Sequence, residues 1–154
     1  TIGKNGYSVA EHSLLVEAIF SIINPKIDPK WKMAALLHDA PEYVIGDMIS
    51  PVKCSVGTGY SDLENRLMIA IHLRFGLPAI LPKSIKTKIK QADKHSAWLE
   101  AINIAGFSKT EANKLFGLPK IEHLKKVQIN PEPPLRAKKN FLQKHQELID
   151  QIQK

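Results

Sequence analysis

A histidine followed directly by an aspartate closes an apolar run in the stretch Ala34-Ala35-Leu36-Leu37-His38-Asp39-Ala40-Pro41-Glu42. Both are metal-ligand types, set at the end of a buried segment where an uncompensated charge would be costly. His12 and Asp93 supply a second imidazole and a second carboxylate elsewhere in the chain. Together these make a mixed nitrogen and oxygen donor set suited to Mn, Fe, Co, Ni, Mg or Zn. Four protein ligands in an octahedral shell leave two positions open. One suits a water whose pKa the ion lowers, the other a phosphoryl oxygen that it polarises, which is hydrolytic chemistry. Taken singly, each residue also has a plainer reading: His12 as a hydrogen-bonded core histidine, Asp39 as a helix-end residue, Asp93 as a solvated flank. Spacing along the chain does not by itself bring the four together.

The elements that must position them can be read from capping signals and helical periodicity. Ser8-Val9-Ala10-Glu11 fits a capping box that opens a first helix. There Val9, His12, Leu15, Val16, Ile19 and Ile23 share one apolar stripe, so His12 faces inward, and Asn24-Pro25 closes the helix. Asp28-Pro29 is an N-cap followed by a proline at N1. It opens a second helix that runs through Trp31 to His38-Asp39 and breaks just beyond, ahead of Pro41. Residues 43 to 60 read as a loop punctuated by glycine and proline. Ser61-Asp62-Leu63-Glu64 suggests another capping box, with Leu63, Leu67, Ala70 and Ile71 as the stripe of a helix ended by Gly76.

A fourth helix spans about Lys83 to Asn103. Ile85, Ile89, Ala92 and Ser96 lie on one face and Lys83, Lys86, Lys90 and Lys94 on another, the latter read as a solvated face. Asp93 falls about 40° from Ile89 at about 100° per residue, on the border from which a carboxylate can turn inward. A short helix from Ser108 to Phe116 and a last amphipathic helix after Pro131-Glu132-Pro133-Pro134 complete the reading. Trp31 and Trp98 sit on helical stripes and read as core. With no segment of two-residue alternation, the expectation is an all-α fold of about six helices. Neither a repeat nor a low-complexity tract divides the chain. Residues 1–154 therefore read as one domain, with 134–154 packed on it.

Composition sets wider bounds. The 154 residues carry 44% hydrophobic and 24% charged side chains, ordinary for a folded domain. A net charge of +7 favours anionic partners, phosphorylated metabolites or nucleic acid, without choosing between them. Cys54 is the single cysteine, which excludes an internal disulfide and points to the cytoplasm. No apolar run reaches the roughly 18 residues of a membrane span. Thr1 is not an initiator methionine and the opening residues are not a signal peptide, suggesting a trimmed chain.

Four motifs in order then carry a resemblance: Ser-Val-Ala-Glu-His at 8 to 12, Leu-Leu-His-Asp-Ala-Pro-Glu at 36 to 42, Gly-Asp-Met-Ile-Ser-Pro-Val-Lys at 46 to 53, and Gln-Ala-Asp-Lys at 91 to 94. The chain resembles the HD-domain phosphohydrolases from about residue 5 to 101, most nearly the branch of YfbR-type 5′-deoxynucleotidases. The resemblance implies a helical bundle binding one divalent ion through His12, His38, Asp39 and Asp93. It implies that Glu42 is an acid or base near the attacking water or leaving oxygen, and that Asp47 is a second catalytic or substrate-positioning carboxylate. Proton transfer at both nucleophile and leaving group makes two such groups chemically sensible. Local readings stand beside these roles: Glu42 as a helix cap, Asp47 in an Asx-turn, and Lys53 either as a phosphate contact or as a solvated loop lysine. His72, His95, His123 and His145 match no motif position.

The implied activity is release of phosphate from (deoxy)nucleoside 5′-monophosphates, by a cytoplasmic homodimer. A dNTP triphosphohydrolase of the same fold is the nearest alternative. Tyr43, where guanosine tetraphosphate hydrolases usually carry an aspartate, argues against that class. Cyclic-dinucleotide cleavage would need further histidines for a second metal. A non-catalytic, metal-stabilised nucleic-acid-binding module rests on net charge alone, since aromatic stacking platforms and groove-reading motifs are absent, and nucleic acid is disfavoured as a partner. Two departures bear on specificity. Family members carry a phosphate-holding arginine upstream of the Ser-Val-Ala-Glu-His segment that this sequence does not show, and residues 104 to 130 match no motif.

Overall fold

The structure is a computed structural model and describes residues 4–46, 48–119 and 127–153. It is all-α, with eight helices and no strand among the described residues. They are α1 (Val9–Ile23), α2 (Pro29–Leu36), α3 (Glu42–Ile45), α4 (Ser50–Val56), α5 (Thr58–Arg74), α6 (Lys83–Asn103), α7 (Lys109–Phe116) and α8 (Pro134–Ile152). None is long and apolar enough to cross a membrane.

Helix α1 begins as the capping box predicts. The Ser8 side chain accepts from the Glu11 amide, and the Glu11 carboxylate takes the Ser8 backbone N–H at 2.9 Å. Val16 and Ile19 are fully buried on the expected face, joined by Phe20 and Ser13. That face packs against α6, α2 and α8. Ala34 and Ala35, both at 0% exposure, let α2 approach closely, while Ala92, Trp98 and Leu99 bring α6 into the same core. Trp98 is buried as expected, and its indole N–H donates to Asn113 Oδ1 at 2.8 Å, tying α7 to α6. Trp31 is only partly buried at the core's edge.

Three local expectations change. Helix α2 stops at Leu36, two residues before His38. Tighter bonds then take over: His38 N–H to Ala35 O, Ala40 N–H to Leu37 O, and Glu42 N–H to Asp39 O. His38 and Asp39 thus occupy a compact turn between α2 and α3 instead of a helical end. The clash of Pro41 with a helical backbone before it accounts for the early exit. Residues 43 to 60, read as loop, hold α3, α4 and the start of α5, which raises the helix count above six. Gly46 and Gly57, with φ of 78° and 81°, punctuate them in a conformation that side chains disfavour.

Helix α5 starts at Thr58, so Ser61 lies inside it and donates to the Thr58 carbonyl at 2.9 Å. Its apolar stripe is only partly buried: Ile71 packs against the core and Leu67 is half-buried, but Leu63 and Ala70 are exposed, and His72 is the one buried residue of α5. The reason is positional. Helix α5 packs chiefly along α4, so most of its circumference faces outward.

Candidate metal centre

His12 comes from the second turn of α1, His38 and Asp39 from the turn after α2, and Asp93 from the middle of α6. The packing of α1 on both α2 and α6 brings them together. His12 Nε2 lies 3.3 Å from His38 Nε2, and Asp39 Oδ2 lies 3.3 and 3.2 Å from those two nitrogens. Asp93 Oδ1 is 3.5 Å from His12 Nε2. One ligand atom each from His12, His38 and Asp93 falls within 4.8 Å of the others.

The other nitrogen of each ring fixes what these atoms can be. His12 Nδ1–H donates to Glu100 Oε1 at 2.7 Å, and His38 Nδ1–H donates to the Ala35 carbonyl at 2.9 Å. In the neutral rings both Nε2 atoms are therefore lone pairs, facing one another at 3.3 Å beside two carboxylates. A proton or a metal ion among them relieves that arrangement. Neighbouring ligand atoms around an ion held at about 2.1 Å lie roughly 3 to 3.4 Å apart, so this donor set fits a divalent metal.

The electrostatics say the same of the metal-free cluster. Burial would lower the pKa of His12, but the bonds to Asp39, Asp93 and Glu100 outweigh it and push the imidazole up to about 12. Burial would likewise raise the carboxyl of Asp39, yet His12 and His38 hold it well below the usual carboxylate range. His12 thus carries a proton where an ion would sit. A raised pKa contributes stability that is complete below the ring's ordinary 6.5 and is lost as pH climbs toward about 12. The depressed Asp39 contributes above its ordinary 3.8 and ceases to as pH falls through its lower folded value. A metal must displace the His12 proton, so its apparent affinity is expected to rise about tenfold per pH unit between roughly pH 6 and 8. Competition with a chromophoric chelator at several pH values measures this, and a flat profile would contradict it.

Glu100 carries no sequence motif, yet it completes the site. Its Oε1 accepts from both His12 Nδ1 and the Tyr7 hydroxyl, the latter at 3.2 Å. Burial and the Glu100 charge both drive the Tyr7 pKa upward, so the phenol stays a donor. The available signal was spacing: Glu100 follows Asp93 by two turns on one face of α6. Partners of this kind fix ring orientation, so Glu100→Gln is expected to weaken metal binding by about 10- to 100-fold while leaving the helical fold intact. Chelator competition with circular dichroism decides it, and unchanged affinity would refute the role.

The cluster opens on two cavities. One, of about 270 Å³, is lined by Tyr7, Ser8, Val9, His12, Asp39, Glu42 and Glu100. Glu42 thus lies beside the cluster, at the first turn of α3. Lys53 stands 3.5 Å from Glu42 Oε1, donates to Glu64 Oε1 at 3.0 Å, and hovers over the Tyr60 ring. Lys53 thus lies on α4, paired with two carboxylates. Asp47 lies outside the described residues. His72 lines the second cavity, of about 260 Å³, with His38 and Asp93. His145 packs edge-on against Phe75.

Comparison with known proteins agrees with this geometry. A protein of Rhodobacter capsulatus, the uncharacterized protein RCAP_rcc00048, is 54% identical over 149 residues, covering 97% of this chain and 76% of the relative. The HD domain model matches residues 9–98, the segment that holds His12, His38, Asp39 and Asp93. The chain belongs to the HD-domain family, a family of metal-dependent phosphohydrolases.

Proposed function

We propose that this protein releases phosphate from (deoxy)nucleoside 5′-monophosphates. The observation that carries the reading is the convergence of two imidazoles and two carboxylates at a point open to two cavities. His12, His38, Asp39 and Asp93 would hold a single divalent ion. Such an ion, when bound, acidifies a water and draws charge from a phosphoryl oxygen. The protein's own groups do the rest. Glu100 and the Ala35 carbonyl keep the two rings oriented. Glu42, on the wall shared with His12 and Asp39, moves a proton at its carboxylate, and Lys53 holds that carboxylate in place. Asp47, in the Gly-Asp-Met-Ile-Ser-Pro-Val-Lys motif at 46 to 53, is the second proton-transfer or positioning group.

Purified protein loaded with Co or Mn is expected to hydrolyse members of a nucleotide panel, with orthophosphate detected chromatographically. Triphosphate release from dNTPs would point to a triphosphohydrolase. Inactivity across metals and substrates would sink the phosphohydrolase reading.

A further inference from the structure

The two cavities beside the cluster differ in charge, and that difference gives substrate entry a direction. The cavity on the Glu42 side presents Asp39, Glu42 and Glu100, a wall that repels a phosphate ester. The cavity on the other side is bounded by Met68 and His72 of α5, by Leu81, and by Lys86, Ile89, Lys90 and Asp93 of α6, with His38 at its inner end. Lys86, Ile89, Lys90 and Asp93 recur at the spacing that stacks side chains on one helical face. Two cations and an apolar residue therefore lead along α6 to a carboxylate of the cluster. Half of the lysine stripe that looked like a solvated face is the wall of a cavity.

The remaining walls suit an uncharged, flat organic group. Met68, Leu81 and Ile89 supply apolar surface, and methionine in particular adapts to an aromatic ring. His72 is 4% exposed, and its Nδ1 lies 3.2 Å from the Ala79 carbonyl. A carbonyl can only accept, so Nδ1 carries the proton and Nε2 is left as an acceptor for an N–H or O–H. Apolar walls with a few fixed polar groups are the usual composition of a small-molecule site, and about 260 Å³ lies just below the usual size.

We propose that this cavity seats the nucleoside of the substrate, its base against Met68, Leu81 and Ile89, with Lys86 and Lys90 flanking the phosphate end where it reaches His38 and Asp93. The choice of a nucleoside and the direction of its phosphate rest on the function proposed above, whereas binding to the metal-free protein is read without turnover.

Methyl-labelled methionine gives a direct readout on the full chain, which has three methionines, Met33, Met48 and Met68. Titrating the four neutral deoxynucleosides into metal-free protein is expected to shift the Met68 methyl resonance saturably with at least one of them. Met33, in the core at 1% exposure, should stay fixed. A silent Met68 at millimolar nucleoside overturns the proposal, even if the metal-loaded enzyme hydrolyses nucleotides. A responding Met68 in a protein that hydrolyses nothing leaves the pocket standing and removes the phosphohydrolase reading instead. In the metal-loaded enzyme, Lys90→Ala is expected to raise KM for the nucleotide by about tenfold or more, as loss of a charge-assisted bond does. The Met68 response to the neutral nucleoside should be retained in that variant. An unchanged KM would strike the lysines from the site.

Discussion

Asp39→Asn is expected to leave a folded protein that neither retains metal nor turns over substrate. The Asp39 carboxylate reaches both ring nitrogens of the cluster, at 3.3 and 3.2 Å. An amide keeps its shape but loses the negative charge and can turn an N–H toward those nitrogens. Removing a partner outside the ligand shell already costs about 10- to 100-fold in metal affinity, so loss of Asp39, a ligand in the proposed site, should exceed that range. The fold should survive, because the turn is held by backbone bonds such as Glu42 N–H to Asp39 O at 2.9 Å, which the substitution leaves intact. Elemental analysis, circular dichroism and phosphate release on one preparation test all three parts. A variant that keeps its metal and works within tenfold of the parent would take Asp39 out of the site.

Glu42→Gln should separate catalysis from binding. Glu42 shares a cavity wall with His12 and Asp39 and pairs with Lys53 at 3.5 Å, while the ligand atoms that converge are those of His12, His38 and Asp93, so the glutamine variant is expected to bind metal as the parent does. Turnover should nevertheless fall by about 10²- to 10⁴-fold, the usual share of a general acid or base. The loss should appear in kcat more than in KM, because it removes an interaction specific to the transition state. A proportional loss of bound metal would reassign Glu42 to the ligand shell. Full activity would leave proton transfer to another group.

What sequence reading reached, and where it stopped, follows from how local each signal is. Ser8 and Glu11 announce the start of α1 within four residues of chain, and the bounds of α6 were equally legible because its apolar face is long and regular. The short α3 and α4 hold too few turns to establish a helical period, and their glycines read as loop. The stripe on α5 held only in part, for another reason. Leu63 and Ala70 have helical spacing, but whether such a face is buried depends on a neighbouring element that periodicity cannot supply. At the site, the residue types of the cluster were visible in order along the chain, while their meeting required α1 to pack on α2 and α6. Glu100 and His72 escaped because their roles are set by what they touch: a ring nitrogen across the bundle in one case, a cavity between α5 and α6 in the other.

Glu11 binds more than its own cap. While Oε2 takes the Ser8 amide, Oε1 accepts the Glu132 backbone N–H at 2.8 Å, clamping the entry to α8 onto the residue beside His12. Both Glu132 and Glu100 lie beyond residue 98, where the matched family segment ends. The contacts that hold the cluster's surroundings thus run past the border of the matched segment. A minimal domain trimmed to residues 9–98 would keep His12, His38, Asp39 and Asp93 and lose the carboxylate that aims His12. Transplanted alone, the matched segment would carry the four cluster residues without their alignment jig.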